Sequence, residues 1–193
     1  VIISGASQAT FYDDVANFGT IQVSAGSTAV FFGDFSGGNC TGTGTVFLEG
    51  DTRPGASPGT MNFGGDVVFG AGHTLHVELN GPTAGSEYDE VNVTGSASLA
   101  GALDVLLAPG YEPLAGRRFE VLAAGSRTGA FNGTEASGYT AEKSLVRAYA
   151  ADGLDLVATW NGDASLDGAV SISDLGILAG NYGAPGKWTT GDF

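Results

Sequence analysis

Ala9-Thr-Phe-Tyr-Asp-Asp-Val-Ala-Asn17 and Ala29-Val-Phe-Phe-Gly-Asp-Phe-Ser-Gly37 decide the reading of the fold, because the second stretch echoes the first twenty positions on. Ala9, Phe11, Asp14 and Val15 are matched by Ala29, Phe31, Asp34 and Phe35. Each unit reads as a short strand, a turn and another short strand. A unit of that size cannot bury its own apolar face and must stack on the next, which is what a β-solenoid needs. A second alignment sets Gly19-Thr-Ile-Gln-Val23 against Gly44-Thr-Val-Phe-Leu48, the offset growing to 25 through an insertion across Gly37-Gly-Asn-Cys-Thr41.

The same punctuation continues downstream. Asp51-Thr-Arg-Pro-Gly-Ala-Ser-Pro-Gly59 holds two Pro-Gly steps and is expected to be a surface turn, not a ladder element. Met61 to Phe69 and Thr74 to Leu79 read as strands, the latter with Leu75, Val77 and Leu79 on one face and His76 and Glu78 on the other. Further strands are expected at Tyr88–Thr94, Ala97–Leu107, Phe119–Leu122, Ser144–Tyr149 and Leu154–Trp160, with Pro109-Gly110 as a turn. The fold class is therefore all-β, divided into a glycine-rich β region over 1–159 and a small tail over 160–193.

Composition agrees. Glycine supplies 33 of 193 residues without a three-residue period, and 42% of the chain is hydrophobic, a pattern of short strands between tight turns and not of collagen or charged disorder. Seven Lys plus Arg stand against 21 Asp plus Glu, a net charge of −14. No basic cluster exceeds Arg117-Arg118, so the electrostatic footprint of a nucleic-acid binder is missing. Most carboxylates read as a solvated face. Cys40 is alone, which rules out an internal disulfide framework and suits a small buried hydrophobe. No apolar run reaches the ~18 residues of a membrane span. Without a signal peptide or initiator Met, the chain reads as processed or partial at both ends.

One stretch demands a particular chemistry. A twelve-residue calcium loop takes oxygen ligands from positions 1, 3, 5, 7, 9 and 12 with glycine at 6. In Asp163-Ala-Ser-Leu-Asp-Gly-Ala-Val-Ser-Ile-Ser-Asp174 these positions hold Asp163, Ser165, Asp167, Ala169, Ser171 and Asp174, with Gly168 at 6. Ala169 serves through its carbonyl and Ser171 through a water. Position 12 is Asp instead of the usual bidentate Glu, and Thr159-Trp-Asn-Gly162 before the loop reads as a strand ending in a turn, not as a helix. A chance Asp/Gly turn is the alternative.

Gly162 to Ala179, followed by Gly180-Asn-Tyr-Gly183 and Trp188-Thr-Thr-Gly-Asp-Phe193, resembles a dockerin. The resemblance implies bound Ca2+, one EF-hand-like loop-helix, a linker and a second loop opening at Asp192, so that the first half-repeat is covered. It also implies a cohesin-bearing partner and, because calcium is millimolar outside cells, an extracellular or cell-surface location. Gly50 to Gly59, Val77-Glu-Leu-Asn-Gly81, Tyr88 to Gly95, Gly116-Arg-Arg-Phe-Glu-Val-Leu122 and Gly129-Ala-Phe-Asn132 look like the glycine-rich repeat and terminal cap of bacterial autotransporter-like surface proteins. That resemblance spans nearly all of Ala9 to Trp160 and implies a right-handed β-solenoid, or β-helix, passing into a sandwich-like cap, without catalytic residues.

Other chemistry is weighed against these readings. Asp13-Asp14 and Asp89-Glu90 could be general acid/base carboxylates of a carbohydrate-active enzyme, but adjacent strand residues point to opposite faces, while hydrolysis needs two carboxylates converging across a bond. His73 and His76, three apart in an extended segment, make a poor zinc pair. Asn39-Cys-Thr41, Asn92-Val-Thr94 and Asn132-Gly-Thr134 fit the glycosylation acceptor pattern. The leading expectation is a non-enzymatic extracellular structural or adhesive module that associates with itself, as a homo-oligomer or fibre, or binds a glycan. A dockerin-bearing module and a β-helical carbohydrate-active enzyme are the alternatives.

Overall fold

The computed structural model describes residues 1–55, 58–132, 136–140, 142–183, 185, 186, 189 and 191. The chain is mostly β, and it divides into two compact units. One comprises Val1–Tyr111, Glu120–Gly133 and Tyr149–Leu154; the other comprises Glu112–Phe119, Thr134–Ala148 and Asp155–Phe193.

In the first unit lie β1 (Ile2–Ile3), β2 (Gln8–Phe11), β3 (Val15–Val23), β4 (Thr28–Phe31), β5 (Phe35–Thr41) and β6 (Thr45–Leu48). They are followed by β7 (Thr52–Pro54), β8 (Thr60–Phe63), β9 (Asp66–Phe69), β10 (Thr74–Leu79), β11 (Glu90–Leu99), β12 (Ala102–Leu107) and most of β13 (Arg118–Gly129). Their pairings are parallel. The sequence repeat is the structural register: β2 pairs with β4 as Gln8↔Thr28 and Phe11↔Phe31, and β4 pairs with β6 as Thr28↔Thr45 and Phe31↔Leu48. β6 then pairs with β9, setting Leu48 beside Phe69. One apolar column therefore runs Phe11, Phe31, Leu48, Phe69, and the first two rings stack 4.6 Å apart and nearly parallel. Parallel strands joined by crossovers bury their shared interior. Phe31, Phe35, Leu48, Met61, Phe63 and Phe69 are all fully buried.

Two expectations need correction. Gly19–Val23 does not align with Gly44–Leu48. Ile21 pairs with Cys40 after a register shift between Asn17 and Thr20, while Thr45 to Leu48 stack on β4. A bulge absorbed the extra residues, so the offset shortened where the sequence suggested lengthening. Asp51–Gly59 is not wholly a turn either, because β7 joins the ladder as Phe35↔Thr52 and Gly37↔Pro54. Pro54 is tolerated there because its missing N–H falls on the last residue of a three-residue strand.

β10 alternates as expected, with Leu75, Val77 and Leu79 buried and His76 and Glu78 turned outward. Met61–Phe69 is split into β8 and β9 by Gly64-Gly65. A Cβ on Gly65 would lie 2.0 Å from the Gly44 carbonyl oxygen, so the successive corners touch only because no side chain intervenes.

The second unit contains β14 (Ala136–Thr140), most of β15 (Lys143–Tyr149), most of β16 (Gly153–Trp160) and α1 (Ile172–Gly180). β14 and β15 run antiparallel, and β15 neighbours β16. Val146 and Val157 pack with Leu166, with Ala148 against them. Gly116 N–H donates to the Ala158 carbonyl at 2.8 Å, and Arg118 pairs with Asp155 at 3.1 Å.

Candidate metal centre

β16 ends at Trp160, and the Asp163 N–H closes a turn on the Trp160 carbonyl at 3.0 Å. No helix precedes the loop, as the sequence predicted. Asp163 is fully buried. Its Oδ1 accepts from the Ser165 hydroxyl at 3.1 Å and the Asp167 N–H at 3.2 Å. Its Oδ2 accepts from the Gly168 N–H at 2.8 Å and from the Thr159 hydroxyl. One carboxylate thus folds the first half of the loop around itself.

Asp174 does the same for the second half. Its Oδ1 accepts from the Ser165 N–H at 2.9 Å, and its Oδ2 accepts from the Ser171 N–H at 2.7 Å and the Ser171 hydroxyl at 3.2 Å. Ser171 is the N-cap of α1, receiving the Ser173 N–H, and Asp174 returns the bond to the cap: a reciprocal capping box. The Ser165 N–H, together with the Ser171 N–H and the two serine hydroxyls, holds the Asp174 carboxyl down at about 2. It is anionic at every ordinary pH.

The backbone bends where the spacing required. Gly168 has φ +93°, and Leu166 has φ +58°, a left-handed conformation that costs a branched residue roughly 1–2 kcal/mol. Leu166 holds it because its side chain is buried against Val146 and Val157.

Ser165 hydrogen-bonds to both buried carboxylates, so Asp163 and Asp174 lie on either side of it. Asp167 turns Oδ1 to the Ala169 N–H at 2.9 Å. Among the described residues no group of three or more His, Cys, Asp or Glu side chains gathers as a metal cage. The loop instead offers two buried carboxylates, a third at its rim, serine hydroxyls and the Ala169 carbonyl. That all-oxygen set fits a hard divalent cation such as Ca2+ and not a zinc-like ion.

Compared with known proteins, the chain matches no family model, and no curated protein is similar to it.

The remaining predicted residues are scattered. Asn39 lies in β5 and Asn92 in β11, both within a ladder of amides: Asn62 Nδ2 donates to Asn39 Oδ1 at 2.9 Å, and Asn92 Nδ2 donates to Asn62 Oδ1 at 3.3 Å. Asn17 joins it through the Asn39 carbonyl at 2.9 Å. Asn132 bridges to Ala102, while Gly133, Thr134 and Asp192 lie outside the described residues. The amide ladder was missed because its members are spaced 22, 23 and 30 residues apart, and only register shows that they align.

Asp14 accepts the Asp34 N–H at 2.9 Å. Asp89 is buried, its two oxygens taking the Gly59 N–H at 2.7 Å and the Glu78 N–H at 2.8 Å, and burial pushes its carboxyl up to about 6. It serves as a latch between chain segments. Outward-facing His76 sits between Asp104 at 3.0 Å and Asp51 at 3.1 Å, and Arg53 extends the row to Asp34 at 3.0 Å. His73 is buried between Phe69 and Phe131, so the two histidines do not converge as ligands. Cys40 is buried, and burial pushes its thiol up to about 12, which disfavours the reactive thiolate.

Proposed function

We propose that this chain is an extracellular structural or adhesive module, a right-handed β-solenoid passing into a β cap, which associates end to end and carries a calcium-stabilised anchoring loop-helix. The observation that supports it most directly is the parallel, in-register stacking of β2, β4, β6 and β9. Stacked coils have two end faces, and unpaired strand edges at an end are templates for another chain. The calcium part rests on the filled ligand positions and the dockerin-like sequence. Asp163, Ser165, Asp167, the Ala169 carbonyl, Ser171 through a water and Asp174 would hold the ion. The cation would supply positive charge beside buried Asp163 and beside Asp174, which caps α1.

Size-exclusion chromatography and electron microscopy in calcium, then in chelator, test this reading. Self-associated particles whose loop-helix loosens on chelation are expected; a monodisperse monomer indifferent to chelation would overturn it.

A second reading is favoured by α1 itself. Ile172 is 81% exposed, and Leu175 and Leu178 are exposed on the following turns. An apolar helix face of this kind suits docking in the groove of a cohesin-like partner. Titration of the full chain with a cohesin, followed by calorimetry, tests it; heat release that depends on calcium and is lost in Leu175→Asp supports docking.

A further inference from the structure

The ladder β3–β5–β7–β10–β12 ends in a strand edge at each side, and the two edges match. At one end, Val15–Asn17 of β3 pairs with β5 on one side only, since β1 reaches just Gln22 and Val23, and Phe18 follows in the bulge between Asn17 and Thr20. At the other end, among the described residues, β12 pairs with β10 along its length and beyond that only through the Ala102–Asn132 bridge. Side chains that belong to the interior are left half-covered at each end. Ala9, Phe11 and Val15 are half-buried, whereas their neighbours Ala29, Phe31 and Phe35 are fully buried. Leu103, Val105 and Leu107 are half-buried, whereas Leu75, Val77 and Leu79 beneath them are fully buried.

The two edges also belong to the same column. Val15 pairs with Phe35, Phe35 with Thr52, Thr52 with Leu75, and Leu75 with Leu103. Three residues beyond Val15 is Phe18, 97% exposed; three residues beyond Leu103 is Leu106, 62% exposed. Each edge thus presents one large apolar residue to water, at the same step from the same column. Soluble chains rarely leave such residues on an open strand edge without a partner for them.

Resting on the reading of end-to-end association, we propose that the partner is a second copy of this chain, Leu103–Leu106 of one copy adding in parallel to Val15–Phe18 of the next. Leu103 then continues the column into Val15, and Leu106 covers Phe18. Asp104 falls opposite Ala16, so the contact places no like charges face to face. The interface is heterologous, each copy using two different edges, and it therefore builds an open filament instead of a closed dimer. With a net charge of −14 per copy, association strengthens as salt screens the repulsion.

The test uses the full chain in sedimentation velocity over a range of concentrations and salt. Wild type is expected to form a concentration-dependent ladder of species. Phe18→Lys blocks one end and Leu106→Lys the other, and each is expected to weaken association about tenfold or more, since each removes a buried apolar side chain from the contact. Both positions are exposed within one copy, and unchanged circular dichroism confirms that the variants fold. Mixed one to one, they are expected to yield dimers and nothing longer, because each variant retains one competent end.

A covalent readout fixes the register. Ala16→Cys and Asp104→Cys, each alone, form no disulfide between copies under mild oxidation, while their mixture forms a disulfide-linked pair with loss of two protons and two electrons to added oxidised glutathione. If both lysine variants assemble like wild type, or their mixture stays monomeric, this contact is overturned while end-to-end association by other edges still stands. If wild type is monomeric at every concentration and salt, both ideas fall together.

Discussion

The stacked strands of Val1 to Leu107 and the loop-helix of Asp163 to Gly180 are held by opposite means. In the strands, partners lie 17 to 30 residues apart and join apolar columns such as Phe11, Phe31, Leu48 and Phe69. In the loop-helix, the Gly168 N–H reaches Asp163 across five residues and the Ser165 N–H reaches Asp174 across nine, and Asp174 is the buried residue of α1. Apolar stacking is indifferent to ions and weakly dependent on pH. A loop folded around carboxylates depends on their staying ionised and, on the proposed reading, on bound calcium as well. The strand stack therefore supplies the persistent scaffold, and the loop-helix is the element whose order can be set by the surroundings.

The comparison is broken most severely from the scaffold side. Phe69→Ala removes a fully buried ring from an apolar column and is expected to cost about 3–5 kcal/mol in urea unfolding. That cost should be the same with calcium or with chelator. A loss that calcium rescued would mean the stack is not independent of the ion.

A buried ionisable ring inside the stack makes pH the next test. Burial drives His73 down to about 4, and both of its ring nitrogens lack a hydrogen-bond partner. The folded state therefore disfavours a proton that the unfolded chain takes up near 6.5. Its stabilising contribution is complete above pH 6.5 and is lost as pH falls toward 4, on the order of 3 kcal/mol. Wild type should lose stability relative to His73→Phe by about that amount across the window. Asp89 runs the other way: with its carboxyl raised to about 6, its contribution is present below about 3.8 and is lost as pH rises through 6. The opposing windows overlap, so wild type alone should look flatter than either group; parallel pH curves for wild type and His73→Phe would refute the assignment.

On the loop side, Asp163→Ala leaves the Ser165 hydroxyl and the Asp167 and Gly168 N–H groups without their acceptor. Each such loss is worth roughly 1–3 kcal/mol where the group is buried. Calcium titration should show lost affinity, and hydrogen exchange should show fraying of 172–179. Protection in β4, β6 and β10 should not change. The smallest expected effect is at Ala6, whose φ of +54° is left-handed and whose side chain is exposed. Ala6→Gly should stabilise by about 0.5–1 kcal/mol, read as a small rise in urea midpoint.

Much of the fold was legible because its repeats are chemical repeats. The offset of twenty between Ala9 and Ala29 became the register of β2 on β4 without change. The second alignment failed because identity of residue type does not reveal a bulge: Gly19–Val23 resembles Gly44–Leu48 but stacks on Asn39–Thr41 with a shift. Two Pro-Gly steps similarly concealed β7, since proline excludes a ladder only where its N–H is needed. In the loop, spacing alone placed Gly168 and the aspartates, because a tight turn around an oxygen donor has few solutions.

By itself, then, the sequence determined the mostly β class, the stacking period of the first strands, the alternation in β10 and the glycine bend at Gly168. These are local or strictly periodic, and composition and spacing carry them. Only the tertiary structure decided which distant residues share a column: the amides of Asn39, Asn62 and Asn92, the row from Asp34 through Arg53, Asp51 and His76 to Asp104, the latch of Asp89, and the common column of Val15 and Leu103. Turn lengths vary from one strand connection to the next, so sequence distance does not convert into position in the sheet until backbone hydrogen bonds fix the register.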